Sequence, residues 1–475
     1  MAGLFGALIY SGQALGAQSA GLQTAGRNLA NVNTVGYARQ RVSLATVGSV
    51  GTGVAAQSLG VQATGIQSLR DKYLDAQVAG ENSVTAKLQA QYDSMSRAQA
   101  GLGESIDRST DASSIGDTAS GNGGINGSMN DFFNAFQALS ADPTSTAQKQ
   151  VLLQSAGTLA DKLNSVDANL AAEQQSDTQR IGGDVGDANG LLKDIASLNA
   201  QISTTEAGSP GSALDLRDQR QAKIEALSQK MNIDVSMSPD HPNQVQISTR
   251  DGQGNAVALV DRDHVVAPLS FDGTSVSAGT GAAAKPLAIS GGSIAGNLQA
   301  RDVVISGLRS NLKTMAGQLT SAVNSAYNPG GTGANFFAAS PTGGQLLQVD
   351  PGTTATTLHA GSTGDAGAND LALAVANVRS KKFSTAGGDA VNGTLGGYYS
   401  GVVSNFGAQL SGTQAQITDQ GLVSTQINSQ RDAVSGVSID EETTNLMQYQ
   451  RAFQASSRVV SVIDSMFDDI MSMVH

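Results

Sequence analysis

The chain runs to 475 residues, enough for several domains with cores of their own. A net charge of −12 argues against nucleic acid or an anionic membrane surface as partner, because both are held chiefly by Lys and Arg. With no Cys, disulfides, thiolate nucleophiles and Cys-ligated metals are excluded, and charged residues at 14% with aromatics at 4% supply few of the groups that line a deep catalytic pocket.

No charged side chain precedes Arg27, yet this stretch does not read as a signal peptide. Ser11, Gln13, Gln18, Ser19 and Gln23 interrupt every apolar run, and no Lys or Arg leads it. No later run approaches the roughly 18 apolar residues that span a bilayer, so membrane insertion is not expected. Leu8, Leu15, Leu22 and Leu29 recur every seventh position, with Leu4, Ser11, Gln18, Ala25 and Val32 at the intervening three–four steps, which predicts a helix with a Leu row facing a partner. Asn28 to Gln40 is rich in Asn and Gly and predicts the turn out of that helix.

Residues 41–60, with Thr46, Gly48, Gly51, Thr52, Gly53 and Gly60, read as an extended link, and Ile66 to about Gly103 as a polar helix. Gly121–Gly127 lacks the completed Gly pattern, the following Lys and the preceding strand of a phosphate loop, and reads as a hinge. Phe132, Phe133, Phe136 and Leu139 share one helical face; Asp142 and Pro143 then predict an N-cap and first position for the next helix. Further rows run through Leu152, Ala156, Leu159, Leu163, Val166 and Leu170, through Leu192, Ile195, Leu198 and Ile202, and through Ile224, Leu227 and Met231. Asp215, Arg217, Asp218 and Arg220 read as a helix start with a solvated face, and the whole as an antiparallel helical bundle.

From Ile233 to about Ser293 the period changes to two. Val245, Ile247 and Thr249 alternate with polar residues, Asp251-Gly252 offers a hairpin turn, and Val257–Val260, His264–Phe271 and Leu287–Ile289 are short apolar runs, together a small β domain. A helical row returns at Ile305, Leu308, Leu312, Met315, Leu319 and Val323, stops at Asn328-Pro329-Gly330-Gly331, gives way to an irregular region to Asn369, and resumes at Val403, Phe406, Leu410 and Ile417.

The last stretch, Ser438 to Val474, carries the clearest pattern: Leu446, Tyr449, Phe453, Ser456, Val460, Ile463, Phe467, Ile470 and Val474 alternate three and four steps. Ser438 and Glu441 form an S-x-x-E capping box, and Asp440, Glu441 and Glu442 place negative charge at the positive end of the helix. A stripe this long needs a partner, and the first helix offers one. No catalytic constellation accompanies these elements. His241, His264, His359 and His475 stand outside metal-ligand spacings, no G-x-S-x-G occurs, and the 251–255 segment lacks the frame of a calcium loop. Neither cofactor nor metal is expected.

Two segments carry a resemblance. Ala30-Asn31-Val32-Asn33-Thr34-Val35-Gly36-Tyr37, followed by Arg39-Gln40, resembles the N-terminal signature of bacterial flagellar axial proteins, with Val35 where that family usually has Pro. Ser435-Gly436-Val437-Ser438-Ile439-Asp440-Glu441-Glu442, then Asn445-Leu446 and Tyr449 to Ala455, resembles the hook-associated members that join hook to filament, and favours these over hook or distal-rod proteins. The resemblance implies a non-enzymatic structural component of the flagellum, located at the hook–filament junction. It implies secretion by type III export with an escorting chaperone on the C-terminal segment. Its neighbours would be a homo-oligomeric ring of itself, the hook protein and the second junction protein.

The expected fold is mainly α with a β-rich insert, elongated and multi-domain. Segment 1–58 pairs with 432–475 as a coiled coil; 59–232 and 296–431 form the helical bundle; 233–295 is a small outer β domain. Leu8, Leu15, Leu22, Leu29, Leu446, Tyr449, Phe453, Val460, Ile463, Phe467 and Ile470 are expected to carry pairing, assembly and chaperone contact. Asn31, Asn33, Thr34, Gly36 and Tyr37 are expected to shape the turn. The terminal segments are expected to be largely disordered in the free monomer and to fold on assembly. The competing expectation is a secreted adhesin or effector with flagellar-like ends and a ligand site in the β insert.

Overall fold

The computed structural model describes residues 2–34, 36–46, 49–50, 57–58, 60–103, 124–241, 243–281, 284–339, 341, 343–363, 365 and 367–473. The expectations at Val35, Gly48, Gly51 to Gly53, Gly121 to Gly123, Val474 and His475 lie outside these, as does the side chain of Leu4.

Helix α1 (Ala2–Ala30) is followed by strand β1 (Gln40–Thr46), the short pair β2 (Ser49–Val50) and β3 (Gln57–Ser58), and β4 (Val61–Ser68). β1 pairs with β4 antiparallel, with a shift between Ser43 and Leu44 that marks a bulge. This hairpin stands where an extended link was expected, and Ile66, expected in a helix, sits opposite Val42. Helix α2 (Lys72–Leu102) starts later because Asp71 caps it, its Oδ1 accepting from the Tyr73 and Leu74 amides at 2.8 and 3.3 Å.

Helix α3 (Ile125–Ala141) takes Asn126 and Gly127, expected in the hinge, into its first turn. Helix α4 (Thr146–Glu206) is a single helix of 61 residues that carries two of the rows read as separate segments. Its cap is Ser145, not Asp142: Ser145 Oγ accepts from the Gln148 amide at 3.3 Å. Helix α5 is Leu214–Lys230. The β segment forms two antiparallel sheets. One is the meander β5 (Asp234–Met237), β6 (Val245–Arg250), β7 (Ala256–Asp261) and β8 (His264–Val265); the other, in order β11-β10-β9, has β9 (Leu269–Phe271), β10 (Val276–Ala278) and β11 (Lys285–Pro286). Asp251 turns the chain between β6 and β7, its Oδ1 accepting from the Gln253 and Asn255 amides at 3.0 and 2.8 Å. Helix α6 (Gly292–Gln299) passes through a π-helical stretch, Ala300–Ile305, into α7 (Ser306–Tyr327); α8 (Asp370–Val378), α9 (Leu395–Ser435) and α10 (Ile439–Met473) complete a mainly α fold with a small β region.

The chain divides into two compact units. One comprises Lys87–Gly182 and Ser293–Thr418 and is a helical bundle. Its core sets Phe132, Phe133 and Phe136 of α3 against Phe336 and Phe337, with Leu152, Leu159 and Leu163 of α4, Leu312, Met315 and Leu319 of α7, and Phe406 of α9. The two later phenylalanines belong to the irregular region, and the side chain of Asn324 holds them there. Its Oδ1 accepts from the Phe336 and Phe337 amides at 3.1 and 2.9 Å, and its Nδ2 donates to the Phe337 carbonyl at 2.8 Å. Gly296 lets α6 approach α2, since a Cβ there would lie 2.2 Å from the Lys87 carbonyl oxygen.

The other unit comprises Met1–Ala86, Gly183–Gly292 and Asp419–His475, so it holds both sheets of the β segment and both chain ends. Asn199 of α4 stitches the meander to the helix, donating to the Val245 and Arg262 carbonyls at 2.8 and 2.6 Å and accepting from the Val245 amide at 3.2 Å. α1 and α10 lie side by side and antiparallel. Phe5 meets Phe467 with ring centroids 5.0 Å apart, Gly21 faces Tyr449, and Asn28 bonds Glu442.

Candidate functional site

The residues of the two motifs converge where α1 ends and α10 begins. Asn28 is the hub. It is 1% exposed, and its amide makes all four hydrogen bonds open to it. Nδ2 donates to the Gln40 carbonyl at 2.8 Å and to Glu442 Oε2 at 2.9 Å, while Oδ1 accepts from the Tyr37 hydroxyl at 2.8 Å and the Gln40 amide at 3.0 Å. Arg39 then bridges to the other chain end, its Nε 2.8 Å from Glu442 Oε1 and its Nη1 2.6 Å from Glu441 Oε2. Backbone joins backbone in the same place. The Arg39 amide donates to the Ser435 carbonyl at 2.9 Å, the Leu69 amide to the Arg39 carbonyl at 2.8 Å, and Ser435 Oγ to the Leu69 carbonyl at 2.9 Å.

The turn itself is built from the Asn-rich signature. Asn31 Nδ2 donates to the Arg27 carbonyl at 3.0 Å and Thr34 Oγ1 to Asn31 Oδ1 at 3.1 Å, whereas Asn33 is exposed. Gly36 adopts φ +80°, a left-handed conformation that disfavours any side chain, and a Cβ there would press on Ala222 at 3.1 Å. Its carbonyl accepts from Arg70 Nη2 at 2.5 Å; the same guanidinium pairs with Asp218 at 2.8 Å and Asp75 at 3.0 Å. Burial works against the Arg70 charge, but Asp75 and Asp218 outweigh it and raise its pKa. Burial lifts Asp218 above the ordinary carboxylate value although Arg70 opposes the rise. Burial, with the Asp218 charge adding to it, pushes the Tyr37 hydroxyl up to about 12. Tyr37 therefore stays protonated and donates.

At the start of α10, Ser438 Oγ accepts from the Glu441 amide at 3.4 Å, one half of the capping box. The Glu441 carboxylate pairs with Arg39 instead of turning back to the cap. Gly436 is required just before it, because a Cβ would lie 2.3 Å from the Asp432 carbonyl oxygen. A cleft of about 540 Å³ opens beside this junction, lined by both motifs.

The pairing face differs in detail from the one expected. Along α1 the buried positions are Ala17, Gly21, Thr24, Ala25 and Asn28, and Leu8, Leu15, Leu22 and Leu29 are only half-buried. A Cβ on Gly21 would lie 2.5 Å from the Tyr449 ring, so the helices touch through small residues. Along α10, Ile463 is buried and Leu446, Tyr449, Val460, Phe467 and Ile470 are half-buried. Phe453 is 37% exposed, and Ala452 takes the half-buried place beside it. Arg70, Asp75 and Asp218 were missed as members of the junction. Asp218 and Arg220, expected on a solvated face, are 7% and 6% exposed. The signal that could have found Arg70 is the run Leu69-Arg70-Asp71, a cation directly before a helix cap. Among the described residues no group of three or more His, Asp or Glu could hold a metal, and no helix is long and apolar enough to cross a membrane.

The junction is a device for holding register: it ties the exit of α1, the entry of α2, the first turns of α5 and the start of α10 through one buried amide and two guanidinium groups. Residues 429–473, which include the α10 half of it, match the model of the flagellar basal body rod FlgEFG protein C-terminal region, and residues 114–337 match that of the flagellar hook-associated protein FlgK helical domain. The chain is similar to the FlgK family of flagellar hook-associated proteins. The end segment is thus shared with rod proteins, and the helical middle carries the FlgK match. The chain is similar to flagellar hook-associated protein 1 of Bacillus subtilis, 27% identical over 97% of the chain and 96% of the relative. It is 24% identical to flagellar hook-associated protein 1 of Escherichia coli, over 96% of the chain and 98% of that relative. Among solved structures it is similar to the flagellar hook junction protein FlgK from Burkholderia pseudomallei, with 19% identity and a TM-score of 0.44 over 55% of this chain and 46% of that one.

Proposed function

We propose that this flagellar structural protein forms the junction between hook and filament by self-assembly of its terminal helices. One observation carries the reading. With α1 already seated on it, α10 still exposes a second apolar stripe, Val459, Val462, Met466 and Met473, at helical spacing. Phe5 and Ile9 of α1 are exposed as well. A helix pair with apolar residues left on its outside is suited to further helices of the same kind. The partners would be further copies in a ring, the hook protein and the second junction protein, and before assembly an export chaperone on the C-terminal segment. The protein would act outside the cell body after type III export, without catalysis.

Deleting the gene and examining cells and medium by electron microscopy and immunoblot tests this. Bare hooks with flagellin lost to the medium are expected; intact filaments and normal swimming overturn the proposal. Complementation with Val462→Asp, which leaves the α1-facing side of α10 untouched, should fail to restore filaments although the chain is exported.

A further inference from the structure

In the unit that holds the chain ends, a cavity of about 150 Å³ lies between α2, α5 and strands β5 and β6. Ile224, Val235, Met237 and Val245 give it one aliphatic side. Four cationic side chains also line it, and their pairing is unequal. Arg70 faces Asp75 and Asp218 at 3.0 and 2.8 Å, and Arg217 faces Glu206 at 2.7 Å. Arg220 has no ion pair among the described residues. It is 6% exposed, and its Nη1 donates only to neutral acceptors, Asn199 Oδ1 at 2.7 Å and the Asn243 carbonyl at 3.0 Å. Lys72, exposed at the cavity, also has no ion pair among the described residues. Burial, with the Arg217 charge adding to it and the Glu206 charge opposing, lowers the Arg220 pKa to about 10, which still leaves it charged at neutral pH.

A buried cation that no carboxylate touches is costly, and Arg220 feels Glu206 only at a distance, through the charge that Arg217 already pairs. We propose that the cavity is a binding site for a short aliphatic monocarboxylate, its carboxylate on Arg220 and its hydrocarbon stem against Ile224, Val235 and Met237. The size agrees: an apolar cavity of about 150 Å³ takes a ligand the size of benzene, and butyrate has the same number of heavy atoms. The charge agrees too. Asp75 lines the same cavity and is itself buried, so a single negative charge is tolerated there better than the two of phosphate. The same chemistry is presented by a free acid and by the glutamyl side chain of a neighbouring polypeptide.

Calorimetric titration of the full chain with sodium butyrate, acetate and phosphate at constant ionic strength tests the site. One butyrate is expected per chain, bound about tenfold more tightly than acetate for its two additional methylenes. Ala76→Phe, on the exposed wall, should fill the cavity and abolish binding while leaving Arg220 and its bonds in place; Arg220→Gln should do the same by removing the charge. Heats no different from chloride, phosphate bound at least as tightly as butyrate, or unchanged butyrate affinity in Ala76→Phe would overturn the proposal. Should Arg220→Gln not fold, Ala76→Phe decides alone. Sedimentation of butyrate-binding protein then separates the sources: butyrate that dissolves associated chains identifies a glutamyl side chain as the occupant, and butyrate without effect on association identifies a free acid.

Discussion

In the helical bundle, five phenylalanine rings and Tyr327 lie with neighbouring centroids 5.0–5.7 Å apart, and burial is concentrated in a few large side chains. Where the chain ends meet, α1 presents Ala17, Gly21, Thr24 and Ala25 to its partner, and the Asn28 amide is enclosed together with Gln40 and Glu442. The bundle gains its stability from area removed from water, roughly 25 cal/mol per Å² of apolar surface. The paired ends have little such area to remove and take their specificity from hydrogen bonds that only one register satisfies. A region built the first way folds by itself; a region built the second way is finished by whatever covers its remaining apolar face.

The contrast can be broken in several places. Phe336→Ala should cost the bundle about 3–5 kcal/mol in urea denaturation, since it opens a cavity in the middle of the ring cluster. A cost under about 1 kcal/mol would mean that the cluster is not where the bundle is held. Asn28→Leu should cost about 2–4 kcal/mol at the paired ends, because Glu442 and the Gln40 backbone lose their partner while still buried. Hydrogen exchange localised to α1 and α10 would separate this from global unfolding. Gly21→Leu should cost about 1–3 kcal/mol by driving into Tyr449, whereas Leu22→Ala, at the neighbouring half-buried position, should cost less. The reverse ranking would restore the Leu row as the pairing face.

The pH dependence sharpens the same contrast. The Tyr37 hydroxyl has its folded pKa raised to about 12 from 10.0, so the folded state holds the proton more firmly than the unfolded one. Its contribution is complete below pH 10.0 and is lost as the pH rises through about 12. Unfolding of the paired ends followed by circular dichroism should show this fall, and Tyr37→Phe should flatten it. The smallest effect is expected at Phe453. Phe453→Asp should change monomer stability by no more than about 0.5 kcal/mol, as for other exposed positions, while Ile463→Asp should disrupt the pairing.

Much of this was legible in the sequence. Long rows at three–four steps located α7 and α10, Ser438 marked the start of α10, period-two alternation located β6, and a short apolar run located β7. What stayed hidden has physical causes. A heptad of Leu announces itself by hydrophobicity, but close helix approach depends on smallness, and Gly21 and Ala25 look like spacers in a pattern search. Phe453 and Ala452 differ by one step along the helix, and only the contact with α1 chooses between them. The β1–β4 hairpin has Gly, Gln and Thr rather than apolar alternation, so its pairing comes from backbone bonds that leave no mark in composition. Arg70 and Asp218 are separated by 148 positions, and no local rule brings them together.

The antiparallel contact of Phe5 with Phe467 has a topological consequence. The first turns of α1 and the last turns of α10 come together, so a short Gly-Ser bridge could join the two helices and new ends could be cut at the exposed turn around Gly254. In such a circular permutant the helices would be neighbours in chain order as well as in space. Whether it still builds flagella would separate the geometry of the pair from the freedom of its ends.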